Sequence, residues 1–260
     1  MKLVLCQLDS VWENISANLA KASAALEAYI NLNGVPDLFV LPEFFNSGYT
    51  MDTAFAEDEQ GPSLAWMKDS AAKYGCAIAG SMPFKDGEAA VNRLFFVTPE
   101  GVLDYYDKHQ LFTFANEHKS YSPGKRKVIV EYKGWRIRLA VCYDLRFPVW
   151  LRNKGCEYDL LLNVANWPDI RVDAADTLAK ARAIENLCFT AFCNRFGVDR
   201  TNTYNGNSLI IDSMGRSIGK LSSISGHTFV SADIDIEPLQ KYRQSFQSWR
   251  DADEFELLLK

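Results

Sequence analysis

At 260 residues, with 48% apolar and 23% charged side chains, the chain has material for a large core and lies outside disordered compositions. Its 28 basic and 33 acidic residues give a formal charge of −5 with no basic stripe, which argues against a nucleic-acid partner. No segment is long and apolar enough to span a membrane, so a bilayer partner is not expected either.

The opening "MKLVLCQLDS" has a short apolar run broken by Gln7 and Asp9, with no small-residue cleavage site. It reads as a first strand rather than a signal peptide, and a cytoplasmic location is expected. There the six cysteines (6, 76, 142, 156, 188 and 193) should be free thiols. Their spacings match no zinc pattern and the three histidines are scattered, so no metal is expected.

After that strand, Ile15, Leu19, Ala22, Leu26 and Tyr29 recur at helical spacing until Gly34 and Pro36 stop them. "DLFVLPEF" is a near-continuous apolar run that predicts a buried strand ending at Pro42-Glu43. A helix over Ser63 to Tyr74, closed by Gly75, leads into the strand "CAIAGSM". "RLFFVTPEGVLDYYDK" and "KVIVEYKGWRIRLAVCYD" each predict two strands about a turn. "FPVWLRNKG" suggests a short helix, "DLLLNVANW" a buried strand, and Asp173 to Leu187 a long helix feeding "FTAFCNRFG". "NSLIIDSMGRSIGKLS" predicts a further hairpin and "HTFVSADID" a last strand. With no linker or composition shift, one domain over 1–260 is expected. Two sheets with helices outside follow, since buried strands need cover on both faces. The tail "SFQSWRDADEFELLLK", about 245–260, is apolar for a terminus and suggests docking at an oligomer interface.

Three strands end in a reactive residue: Glu43 after "DLFVLP", Lys108 after "VLDYYD", and Cys142 after "IRLAV". Loops at strand ends are where a rigid sheet fixes catalytic groups while leaving access. A thiol near its ordinary pKa is a poor nucleophile at neutral pH and needs a base or a cation beside it. Glu43 and Lys108 supply one each. Taken singly, each has a bland reading: a small buried hydrophobe for Cys142, a turn carboxylate for Glu43, a solvated charge for Lys108.

The local wording decides between these. "LPEFFNSGY", "YDKHQLF" and "CYDLRFP" occur in that order, 65 and 34 residues apart from 43 to 108 and from 108 to 142. Together with "ARAIEN" and "GNSLIIDSMG" they resemble the nitrilase superfamily, the carbon-nitrogen hydrolases, over nearly the whole chain, closest to its omega-amidase branch. The resemblance implies an α/β fold, a four-layer α-β-β-α sandwich of two central β-sheets flanked by helices. It further implies a catalytic Glu-Lys-Cys set at Glu43, Lys108 and Cys142, with Glu117 of "ANEHKSYSPG" as a fourth member, no cofactor, and a homodimer or higher homo-oligomer. Many relatives carry an acidic residue after "RFP", where this chain has Val149-Trp150.

On that reading Cys142 attacks a carboxamide carbon, Glu43 takes the thiol proton and later gives it to ammonia, and a thioester forms and is hydrolysed. The Lys108 ammonium and the backbone N–H of Tyr143 would stabilise the oxyanion. His109 offers a rival base, but an extended segment turns it away from Lys108. The implied substrate is the monoamide of a small dicarboxylic acid, of the 2-oxoglutaramate or 2-oxosuccinamate type. Arg146 is the candidate grip for its distal carboxylate, as at the corresponding place in related carbamoylases, with a brace to Asp144 as the alternative. Asn166 and Trp167 are candidate pocket walls. A nitrilase or N-carbamoyl amino acid hydrolase uses the same set. A catalytically silent protein with Trp150 and the tail as contact surface is the non-enzymatic alternative.

Overall fold

The structure is a computed structural model and describes residues 1–259, so Lys260, the last residue of the expected tail, lies outside the described residues. In chain order the elements begin β1 (Lys2–Cys6), α1 (Ile15–Asn33), β2 (Leu38–Val40), α2 (Pro62–Tyr74), β3 (Ala77–Asp86), β4 (Ala89–Thr98) and β5 (Gly101–Asp107). Then come α3 (Glu117–Ser120), β6 (Ile129–Tyr132), β7 (Trp135–Val141), β8 (Leu160–Ala165), α4 (Val172–Asn186) and β9 (Phe189–Asn194). The chain closes with β10 (Phe196–Val198), β11 (Thr203–Asn205), β12 (Leu209–Ile211), β13 (Lys220–Ile224), β14 (His227–Asp233) and α5 (Ile236–Ser245).

Seven strands form one sheet in the order β13-β14-β1-β2-β3-β4-β5, five form a second in the order β12-β9-β8-β7-β6, and β10 and β11 pair alone. Side chains alternate across the first sheet as the pleat requires. Leu3, Leu5, Leu38, Val40, Ala77 and Ala79 point inward to meet Ile137, Leu139 and Leu162 of the second sheet. Val4, Phe39, Ile78, Phe95 and Val97 point outward under Ala22, Leu26 and Tyr29 of α1 and Leu64, Met67 and Ala71 of α2. On the far side Ala175, Ala179 and Ala183 of α4 and Leu239 of α5 cover the second sheet. Helix, sheet, sheet, helix is the order of layers read from the sequence.

The local signals for the helices hold. Asn14 caps α1 by accepting from the Ala17 N–H, and Gly34 ends it at φ +75°. Pro62 opens α2 and Gly75 closes it in the left-handed conformation. One expectation holds in part and one does not hold. The hairpin over 207–222 forms only as a short one: the Ile211–Ser217 bridge and the Ile218 N–H to the Ile210 carbonyl close it, but β12 pairs with β9 in the second sheet and β13 leaves to pair with β14 in the first. The chain crosses between sheets at Gly219, where a Cβ would lie 2.5 Å from Val230 Cγ1, so only glycine lets the crossover pass. The short helix over "FPVWLRNKG" is absent; instead Cys142–Arg146 makes a 3-10 turn and Lys154–Cys156 another. Local bonding takes that segment's polar groups elsewhere, with Trp150 Nε1 donating to Tyr106 Oη and the Asn153 side chain to the Tyr158 carbonyl.

Candidate active site

Glu43, Lys108 and Cys142 all sit one or a few residues past the end of a strand. β2 ends at Val40, and the chain turns at Phe44, whose φ is +47° and whose N–H donates to Ser81 Oγ at 3.1 Å. That turn carries Glu43. β5 ends at Asp107, one residue before Lys108. Here Gly124 donates its N–H to the Lys108 carbonyl at 2.9 Å, and a Cβ at Gly124 would meet the Asp107 carbonyl at 2.2 Å, so the close approach that fixes Lys108 requires glycine. β7 ends at Val141 and Cys142 follows at φ +46°, a strained conformation for a residue with a Cβ. Such an elbow turns the thiol out of the sheet.

The structure brings the four sequence-predicted groups together. Lys108 Nζ donates to Glu43 Oε1 at 2.8 Å and to Glu117 Oε2 at 2.9 Å, with all three side chains fully buried. Cys142 lines the cavity, with the Glu43 carboxyl close enough to act on its thiol. Burial disfavours the Lys108 ammonium, but Glu117 and Glu43 outweigh it and hold its pKa well above the ordinary lysine value. Burial, then the Glu43 charge, pushes the Cys142 thiol well above the ordinary thiol range against the pull of Lys108. Burial also raises the Glu43 carboxyl, opposed by Lys108. These directions favour a protonated lysine and a neutral thiol beside the Glu43 carboxyl.

Sequence reasoning missed several members. Asn92 of β4 donates to Glu43 Oε1 at 2.8 Å and to Glu117 Oε1 at 3.3 Å, joining the two acids. The signal was a polar residue inside the apolar run "AAVNRLFFV", which demands a partner. Tyr49 Oη and the Phe112 N–H both donate to Glu117 Oε2. Asp144, fully buried, accepts from the Val141 N–H at 2.9 Å, the Gln110 N–H at 2.8 Å and Tyr106 Oη at 2.7 Å. It therefore ties the Cys142 turn to the loop that carries Lys108.

The other sequence candidates fall as follows. Asn166 lines the cavity but spends its Nδ2 on the Glu43 carbonyl at 2.8 Å and on Oε2 at 3.3 Å, and its N–H also donates to Oε2. Trp167 is a buried cavity wall. Tyr143 lines the cavity beside Cys142. Arg146 also lines it, with its guanidinium 4.7 Å from the Trp167 ring centre, and makes no brace to Asp144, whose oxygens are already taken. His109 stacks on Trp150 with ring centres 3.7 Å apart and bonds through Nδ1 to the Gly124 carbonyl, away from the thiol. Trp150 itself is 2% exposed, which overturns its reading as a contact surface. The cavity above Cys142 holds about 420 Å³ and is walled largely by aromatic side chains, room for a small organic molecule.

Residues 2–244 match the carbon-nitrogen hydrolase family profile. The chain belongs to the carbon-nitrogen hydrolase family. Within that family it is 41% identical to the Escherichia coli K12 "Omega-amidase YafV" over 258 residues, covering 99% of this chain and 98% of that protein. It is 33% identical to the "2-oxoglutaramate amidase" of Bacillus subtilis, covering 94% and 95%. Among solved structures, a CN-hydrolase superfamily protein of Xanthomonas campestris with an arsenic adduct in its active site superimposes with a TM-score of 0.91 at 42% identity, covering 99% of this chain and 98% of that one. A nitrilase-superfamily member of Saccharomyces cerevisiae, at 22% identity and a TM-score of 0.84 over 94% and 93%, shares the fold. The carbon-nitrogen hydrolase resemblance read from three short motifs thus extends across the chain.

Proposed function

We propose that this enzyme is an omega-amidase, hydrolysing the terminal amide of a small dicarboxylic acid monoamide of the 2-oxoglutaramate or 2-oxosuccinamate type to the acid and ammonia. The observation that carries the reading is the buried Glu43–Lys108–Glu117 ion set beneath the Cys142 thiol. The omega-amidase and 2-oxoglutaramate amidase relatives suggest the substrate class.

The steps follow from the proton arrangement. Glu43 takes the Cys142 proton as sulfur attacks the amide carbon. The oxyanion that forms is met by the Lys108 ammonium and the Tyr143 N–H. Glu43 returns the proton to the departing ammonia and leaves a thioester. Water, deprotonated by the same Glu43, hydrolyses the thioester and regenerates the thiol. Lys108 keeps its proton throughout, because two carboxylates face it. Glu117 supports this charge rather than moving protons, and Arg146 grips the distal carboxylate.

Release of ammonia from 2-oxoglutaramate, set against a nitrile and an N-carbamoyl amino acid of similar size, tests the assignment. Preference for the nitrile or the carbamoyl compound would replace it with the corresponding activity. All six cysteines are free thiols, which suits the cytoplasmic address read from the sequence. No helix among the described residues is long and apolar enough to cross a membrane.

The tail is read as an assembly element of a homodimer or higher oligomer. Lys154 reaches the Phe255 carbonyl and Leu257 packs on the core, yet Leu258 is 82% exposed and Phe246 51%. Light scattering on a chain ending at Ser248 should show a smaller or weaker assembly. An unchanged mass would assign the tail to its own chain.

A further inference from the structure

Most arginines among the described residues bond to a carboxylate or a carbonyl, whereas Arg146 and Arg171 at the cavity mouth, like Arg250 outside it, do not. Arg182 pairs with Glu185, Arg200 with Glu13, Arg126 with Asp104, and Arg136 and Arg243 with Asp159. Arg195, fully buried, donates to the carbonyls of Ser10 and Val198. Among the described residues, the Arg146 and Arg171 guanidiniums bond to neither a carboxylate nor a carbonyl, and both line the cavity above Cys142.

They come from different elements. Arg146 ends the 3-10 turn that begins at Cys142, and Arg171 ends the turn Asp169–Arg171 that leads into α4. Each rests on an aromatic wall of the cavity, Arg146 at 4.7 Å from the Trp167 ring centre and Arg171 at 5.2 Å from that of Phe112. A ring contact engages the cation without using its N–H donors, so ten donors in all, five per guanidinium, remain for a ligand.

The one carboxylate at the mouth does not offset them. Asp199 lines the cavity, but its Oδ1 accepts from the N–H groups of Thr201 and Asn202 at 2.8 Å each, and its Oδ2 from Tyr204 Oη at 2.6 Å. Its acceptors close the turn between β10 and β11. The floor carboxylates, Glu43 and Glu117, are engaged by Lys108. The cavity therefore offers two free guanidiniums and no free carboxylate.

We infer that Arg171 is a second specificity residue, forming with Arg146 a two-armed clamp on the distal carboxylate of the substrate. A carboxylate has about four lone-pair sites and can accept from two guanidiniums at once. The two guanidiniums also disfavour a substrate bearing an ammonium group, which meets two like charges there. The inference rests on the omega-amidase reading for its substrate and adds Arg171 to it.

The test compares glutaramate, which carries a carboxylate opposite its amide, with pentanamide, its neutral counterpart of the same length. Specificity constants are measured for wild type, Arg146→Ala, Arg171→Ala and Arg171→Lys, with circular dichroism on each. The clamp predicts that Arg171→Ala loses about 10- to 100-fold more on glutaramate than on pentanamide, as expected for a lost charged hydrogen bond. Arg171→Lys, which keeps charge without the bidentate fork, should fall between it and wild type. Equal losses on both substrates, or a selective loss confined to Arg146→Ala, would remove Arg171 from the clamp. A wild type that hydrolyses pentanamide but neither glutaramate nor 2-oxoglutaramate would instead overturn the omega-amidase reading itself.

Discussion

The floor and the mouth of the cavity follow opposite rules. On the floor Glu43, Lys108 and Glu117 are fully buried, and each charge meets its counter-charge within 3.0 Å. At the mouth Arg146 and Arg171 carry no counter-charge, and Phe114 and Ile170 stand 83% and 84% exposed. Burial explains the difference. An ion taken out of water without a partner costs several kcal/mol, so the floor must be complete before any substrate arrives. Charges in contact with solvent tolerate an open position, and a ligand can fill it. On the proposed reading, reaction chemistry is set by the folded chain, while selection among substrates is left to groups waiting for a partner.

Removing the nucleophile should break the floor most severely. Cys142→Ala is expected to lower turnover by about 10⁴-fold or more with the fold retained, and Cys142→Ser nearly as far. Intact-mass measurement after brief exposure to substrate should show an acyl adduct on wild type alone. An adduct mapped to any other cysteine would move the site.

Changing the floor's ions comes next. Glu43→Gln keeps four-atom shape but takes no proton, so acylation and deacylation should both slow by about 10²-fold or more. Lys108→Ala should cost roughly 10² to 10³ in rate through loss of an oxyanion donor. The same base fixes a pH dependence. Activity needs Glu43 ionised, and burial holds its folded pKa above the ordinary 4.5, so kcat/KM should fall as pH drops through a value above 4.5. That acid limb should vanish from the residual activity of Glu43→Gln. Its persistence there would assign the base elsewhere.

The smallest floor effect is expected where no reacting atom is touched. Asp144→Asn replaces an acceptor by a donor facing the Val141 N–H or the Gln110 N–H, loosening the Cys142 turn from the Lys108 loop. As a positioning residue it should lower kcat by about tenfold or more, with KM little changed, consistent with the sensitivity of catalysis to misplacement. A change in KM alone would place Asp144 with the mouth and dissolve the division drawn above.

Much of the floor was legible because its signals are local. Glu43 and Cys142 each follow an apolar run and Lys108 follows a strand, but it was the wording of the three motifs, through their resemblance to the carbon-nitrogen hydrolases, that singled the set out. Asn92 carried a signal but no role, and Tyr49 and Asp144 stayed silent, since the partners that give them their roles in the site lie 25 to 68 residues away. The hairpin at 207–222 proved shorter than expected for a related reason. Turn residues at Asp212–Gly215 show that the chain reverses, but nothing local says that its two arms join different sheets. At the mouth the residue types were visible and their solitude was not, because an arginine without a partner is defined by what surrounds it in space.

The left-handed backbone at Cys142 also bears on how this enzyme family can change. A φ of +46° is tolerated by glycine, asparagine and small unbranched residues and resisted by β-branched ones, whose second substituent crowds the main chain. Serine can therefore stand at this position with little rearrangement, whereas threonine cannot without first rebuilding the junction of strand and turn. The backbone thus accommodates a primary alcohol in place of the thiol and resists a secondary one, so the barrier to a serine nucleophile here is chemical rather than steric. Glycine accepts φ +46° at no steric cost, so the residue that would relax this turn most is also one that carries no nucleophile: the strain at Cys142 is kept in place by its thiol and not by the fold.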